Sequence, residues 1–257
     1  MLRRLPNWLI ALSGVLGLLL AAPAVSLAQT QAPGDNRVDL LLVLGADVSR
    51  SVDEREFRLQ RDGYAAALTH PKVLEAIQSG GLGRIAVVYY EWSGPEAQRV
   101  IIDWTVIAGA ADAELFAHKL VNEPRAFMDR TGLGAAINYG MVQLARSPYQ
   151  APRRVIDISG DGTNTNGPPP AITRDAAVEA GVTINGLVIL SEVPLPWNPG
   201  HTHPPGGLER YFTDHVIGGP GSFTMVAESF DTFNKAVLSK LIKEIAMGPD
   251  TSGVHVD

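Results

Sequence analysis

The chain has 257 residues, no cysteine, and 21 basic against 27 acidic side chains, a formal net charge of -6. Without cysteine it can form neither a disulfide nor a thiolate metal site, so packing or a bound ion must hold it together. An acidic chain with no basic cluster argues against nucleic acid as a partner.

Taken in chain order, the first segment is not part of a fold. Arg3 and Arg4 precede an apolar core at 9–20, and small residues at Ser26 and Ala28 end it. This is the pattern of a secretory signal peptide, 1–28, cut after Ala28. Its core is shorter than the roughly 20 apolar residues a membrane span needs. Its removal takes Arg3 and Arg4 away and moves the net charge from -6 to -8. The expected location is therefore exported, periplasmic or secreted. Residues 29–37 read as a polar linker, and no second segment is apolar enough to span a membrane.

Residues 38–46 (VDLLLVLGA) are a continuous apolar run, as in a central parallel strand covered on both faces. A helical spacing follows over 52–68, with Asp53 placed to cap it. Residues 84–92 and 99–103 are β-rich and joined through Ser93-Gly94-Pro95, which predicts a hairpin whose second strand lies at an edge. Helices are expected over 110–121 and 133–145, the second built of small residues that allow close packing on a sheet. A strand over 153–159, a helix over 171–180 ended by Gly181 and a strand over 182–190 come next. Residues 191–207 hold five prolines and three glycines and predict a surface loop. A short strand over 222–227 and a closing helix over 230–245 complete a domain of residues 38–247, and 248–257 read as a disordered tail. The alternation defines an α/β fold: a mainly parallel central sheet, helices on both faces, one edge hairpin. In such sheets ligands bind beyond the carboxyl ends of strands, where strand order reverses.

Three segments end on oxygen donors at such positions. Asp47, Ser49 and Ser51 form D-x-S-x-S after the first strand. Thr131 precedes the small-residue helix. Asp161 follows the strand at 153–159, in Ser159-Gly160-Asp161-Gly162. Carboxylates and hydroxyls are hard donors, suited to Mg²⁺ or Mn²⁺. Other candidates carry blander readings. His201 and His203, in a proline-rich loop, are expected to be exposed, and with His215 they make no zinc frame. Glu91 is either near the ion or a surface turn residue. Asp157 is expected to make a structural hydrogen bond or to face an edge. Tyr89, Tyr90 and Trp104 read as packing. Gly218 to Gly221 lack the G-K-[ST] of a phosphate cradle.

D-x-S-x-S, a later Thr and an Asp in S-x-D-G, in that order, resemble the von Willebrand factor A domain and its metal ion-dependent adhesion site, over residues 38–247. The resemblance implies that Ser49 and Ser51 ligate the ion directly, Thr131 directly or through water, and Asp47 and Asp161 mostly through bound waters. It also implies an open sixth position for an acidic group of a partner protein. The stretches Asp47 to Asp53 and Tyr211 to Phe223 are similar to an exported bacterial domain-of-unknown-function subgroup. Arg50 and Arg130 depart from the pattern, standing where glycine is common. The resemblance implies an exported, metal-dependent protein-binding module and no enzyme. The alternatives are a phosphatase-like metal-dependent hydrolase and a structural domain with a degenerate, empty site. Ser49 occupies the position where aspartyl-phosphate enzymes carry a second Asp, and no G-x-S-x-G occurs, which weighs against the hydrolase.

Overall fold

The computed structural model describes residues 35–191 and 194–247. The expected signal peptide over 1–28, the linker up to residue 34 and the tail over 248–257 lie outside the described residues. Six strands form one sheet in the order β3-β2-β1-β4-β5-β6. β1 (Leu40–Asp47) lies between β2 (Ile85–Trp92) and β4 (Arg153–Gly160), parallel to both. β5 (Thr183–Ile189) and β6 (Thr224–Ala227) continue the parallel set. β3 (Gln98–Ile107) pairs antiparallel with β2 at the edge, as the hairpin reading requires.

β1 is buried along its whole length because both of its faces are covered. Leu40, Leu42, Leu44 and Ala46 join one apolar cluster, and Leu41 and Val43 join the other. This is the period-two alternation of a strand divided between two cores. The first core packs under α1 (Glu54–Leu68), α2 (Pro71–Gln78), α3 (Ala110–Asn122) and α8 (Phe233–Ala246). The second packs under α4 (Leu133–Ala145), α5 (Pro170–Glu179) and α7 (Leu208–His215). Asp53 caps α1 in a reciprocal box: its side chain accepts from the Glu56 amide, and the Glu56 carboxylate accepts from the Asp53 amide, each at 2.8 Å. Among the described residues no helix is long and apolar enough to cross a membrane.

The differences from the sequence reading are local. β3 runs on past Asp103 to Ile107 because β2 offers partners along its whole length. α2 was not anticipated, although His70 caps it and Pro71 opens it. α7 lies in a stretch left unassigned, and one helical turn, α6 (Pro199–Thr202), sits within the expected loop. Asp157 faces no edge. It is fully buried in β4, with Lys240 Nζ at 2.7 Å, and Lys240 also reaches Glu244 at 2.6 Å. Glu91 is no surface turn residue either. It is buried at the end of β2 and paired with Arg61 at 2.7 Å. Burial raises the Glu91 carboxyl above its ordinary value and Arg61 opposes that shift.

Candidate metal centre

Strand order reverses between β1 and β4, which are neighbours although far apart in sequence. Ala46 is level with Ser159, so the last residue of β1, Asp47, and the first residue after β4, Asp161, leave the sheet side by side. The D-x-S-x-S loop then turns back on itself. The Ser49 amide donates to Asp47 Oδ1 at 2.7 Å, the Ser49 and Ser51 hydroxyls are 3.1 Å apart, and Ser51 Oγ donates to Asp161 Oδ1 at 2.8 Å. Four of the five expected residues thus form one continuous hydrogen-bonded chain. Asp47 is fully buried, and its Oδ2 has no hydrogen-bond partner. Gly160 leaves room for that oxygen: a Cβ there would lie 3.2 Å from it.

Two carboxyl groups withdrawn from water next to each other favour the neutral state. Burial raises the Asp47 carboxyl well above its ordinary value, Asp161 adds to the shift, and the Ser49 hydrogen bonds oppose it. Burial also pushes Asp161 up to about 6, against the Ser51 hydrogen bond. Among the described residues there is no group of three or more His, Asp or Glu placed to hold a metal ion. Any cation here would depend on the serine and threonine hydroxyls.

The fifth residue, Thr131, is buried just ahead of α4. Its backbone is tied to the loop after β4: its carbonyl accepts from the amides of Thr165 at 2.8 Å and Asn166 at 3.1 Å. Thr131 and Ser51 line the same cleft, but the Thr131 hydroxyl is not bonded to the other four residues. It lies 3.3 Å from His201 Nε2.

His201 corrects the sequence reading. It is 4% exposed, with Nδ1 3.4 Å from the Thr163 hydroxyl and its carbonyl accepting from the Thr163 amide at 3.0 Å. Burial lowers its pKa. Its ring occupies the space above Gly162, where a Cβ would come within 2.1 Å of two ring atoms, so only glycine fits there. His203 is exposed, as expected.

Sequence reasoning also missed Arg125 and Gln60. Arg125 Nη2 donates to the carbonyls of Val48 (2.8 Å), Ser49 (2.9 Å) and Val52 (2.8 Å), clamping the loop that carries the two serines. Gln60 Nε2 donates to the Asp47 carbonyl at 3.0 Å. Glu91 supports Arg125 from behind, accepting from the adjacent Ala126 amide at 2.8 Å. The Arg125 stretch fits neither helical nor strand periodicity, and no local signal marks its role.

A six-stranded, mainly parallel sheet with one antiparallel edge strand, helices on both faces and this loop arrangement at the switch point define a von Willebrand factor A-like domain. The chain belongs to the family described as "Protein of unknown function (DUF1194)", whose model matches residues 37–249. Solved structures with this fold include proximal thread matrix protein 1 of the mussel byssus. It has a TM-score of 0.56 and 14% identity, over 82% of this chain and 47% of that one. The pilus adhesin SpaC from Lactobacillus rhamnosus GG, in its open conformation, has a TM-score of 0.55 and 15% identity, over 81% and 30%. A von Willebrand factor type A structure from Catenulispora acidiphila has a TM-score of 0.51 and 14% identity, over 81% and 42%. The chain spans less than half the length of each, and at such identities the likeness is one of fold. No curated protein sequence matches the chain.

Proposed function

We propose that this chain is an exported protein-binding module in which Asp47, Ser49, Ser51, Thr131 and Asp161 hold Mg²⁺ or Mn²⁺ for an acidic group of a partner protein. In this reading residues 1–28 are a leader that is removed, 29–37 a linker and 38–247 the working domain. The observation that carries the proposal is the buried, unpartnered Asp47 Oδ2 beside a second buried carboxyl group. Buried polar atoms without partners are rare and costly, and a cation would relieve both the orphan and the repulsion. The donors are all hard oxygens, which suits these two ions. One solved structure of the mussel protein, of the same fold, is described with a zinc-occupied MIDAS motif, so a relative's motif takes a divalent ion.

Bound there, the ion supplies a Lewis acid that attracts an incoming carboxylate. The chain's own residues do the rest. Arg125 and Gln60 fix the backbone of the serine loop and so hold Ser49 and Ser51 at the site. Asp47 and Asp161 roughly balance a double charge and leave only weak surplus attraction, so partner binding stays reversible.

The test is thermal unfolding of the metal-stripped protein with and without millimolar Mg²⁺ or Mn²⁺. A ligand specific for the folded state stabilises by about 2.7 kcal/mol at a hundred times its dissociation constant. Asp47→Asn should abolish the rise while leaving the metal-free protein no less stable. No rise with either ion, or a rise that survives in Asp47→Asn/Asp161→Asn, overturns the proposal and leaves the hydroxyl–carboxyl chain as a structural device.

A further inference from the structure

Beside the serine loop opens a cleft of about 260 Å³ that the five-residue site does not account for. Ser51 and Thr131 line it together with Arg50, Arg130, Leu195 and Trp197. Arg50 and Arg130 give the lining its positive charge. Both arginines are exposed, and neither makes an ion pair with any described residue. In a chain of net charge -6, two arginines without ion-pair partners line one cleft. Asp129 also borders the cleft. Its carboxylate lies toward Gly94, where a Cβ would be 2.8 Å from Oδ2, and it offsets the pair in part.

Leu195 and Trp197 give the lining its apolar part, which is held in place. Trp197 is 70% exposed, the most exposed large apolar side chain among the described residues. Its segment does not drift free of the domain. The buried His201 anchors it against Thr131, Thr163 and Gly162, and the Asn198 carbonyl accepts from the His201 amide at 3.1 Å. A bulky indole left in water on an anchored segment, in the same cleft lining as two unpaired arginines, is the composition of a recognition surface. The volume lies below the roughly 300–1,000 Å³ of small-molecule pockets and suits one or two side chains of a larger partner.

We infer that this cleft seats an acidic peptide segment of a partner protein that carries two acidic side chains flanking an apolar one. One carboxylate is directed to Ser51 and Thr131, the second lies between Arg50 and Arg130, and the apolar side chain rests on Trp197 and Leu195. This rests on the metal-centre reading for the first carboxylate only. The second carboxylate and the apolar contact use groups outside that site. Guanidinium groups favour carboxylates through paired, charge-assisted hydrogen bonds, so an acidic segment is favoured over a neutral apolar one.

The experiment is calorimetric titration of the protein with three end-capped pentapeptides, Gly-Glu-Leu-Glu-Gly, Gly-Glu-Leu-Gln-Gly and Gly-Gln-Leu-Gln-Gly, in Mg²⁺ and again in chelator. Trp197 emission is followed in parallel, since the domain's other tryptophans, Trp92 and Trp104, are buried. The two-acid peptide should bind about tenfold more tightly than the one-acid peptide, the loss expected for one charge-assisted hydrogen bond. Arg50→Gln/Arg130→Gln should erase that preference while keeping the Mg²⁺-induced rise in melting temperature, which shows that the variant folds. Trp197→Ala should weaken both acidic peptides alike. Equal affinity for one and two acids, a preference that survives the double arginine variant, or no peptide binding while Mg²⁺ still stabilises the fold, each overturns the cleft assignment. If chelator leaves both affinity and preference intact, the metal reading falls and the arginine–tryptophan cleft stands without it.

Discussion

Asp157→Asn tests the buried charge cluster under α8. Asp157 is fully buried in β4, and Lys240 Nζ stands 2.7 Å from its Oδ1 and 2.6 Å from Glu244 Oε1. Asn185 Nδ2 donates to the same Glu244 oxygen at 2.6 Å. Two carboxylates share one ammonium group in a dry interior, so full ionisation would leave an uncompensated buried negative charge. Burial pushes Asp157 up to about 7, Lys240 opposes the shift, and Glu244 adds to it. The folded-state value therefore lies above the ordinary 3.8. The stability this group contributes is fully present below the unfolded-state value and is lost as pH rises through about 7. At about 1.4 kcal/mol per pH interval of one, the loss is of order 4 kcal/mol. Asparagine is nearly isosteric with the protonated carboxyl group and cannot ionise. The assay is urea unfolding of both proteins at several pH values, with fluorescence and circular dichroism required to coincide. Titrating groups away from the Asp157–Lys240–Glu244 cluster cancel in the difference, so the curve reports on the cluster as a unit. The two proteins should agree within about 1 kcal/mol near pH 4, with the variant gaining steadily to about pH 8. Parallel stability curves, or an asparagine penalty that grows with pH, would refute the reasoning, the latter by making the ionised Asp157–Lys240 pair a net stabiliser.

Two further substitutions address the scaffold of the site. Arg125→Met removes the charged donor shared by the carbonyls of Val48, Ser49 and Val52. It should cost about 3 kcal/mol in denaturant unfolding, and it should weaken Mg²⁺ stabilisation more than a surface arginine change does; an effect on stability alone would exclude a role in shaping the serine loop. Gly162→Ala places a methyl group within 2.1 Å of the His201 ring and must displace it. The expected cost is about 1–3 kcal/mol, with Trp197 emission shifted and proteolysis within 194–203 accelerated; unchanged emission and cleavage would show that His201 does not anchor the segment.

The sequence alone determined the architecture, because burial leaves periodic marks. A strand covered on both faces must be apolar through its body, and 40–46 is. A helix on a sheet must carry an apolar stripe, and 133–145 marks α4 to the residue. The motif residues Asp47, Ser49, Ser51 and Asp161 were legible because loops that follow adjacent strand ends keep their chemistry in short stretches of sequence, and the sheet brings those loops together. α2 and α7 escaped because eight residues hold barely two turns of helical period. What only the tertiary structure decided were long-range partners. His201 reads as an exposed loop histidine, yet Gly162, far back in the chain, opens the space that buries it beside Thr131. Asp157 reads as one polar residue in a strand, yet α8 brings Lys240 and Glu244 to it. Arg125 reads as nothing at all until the fold carries it to three carbonyls some 73 to 77 residues away. Local periodicity reports whether a side chain is buried. Which atoms it meets there depends on loops and helices closing over distances that no sequence window spans.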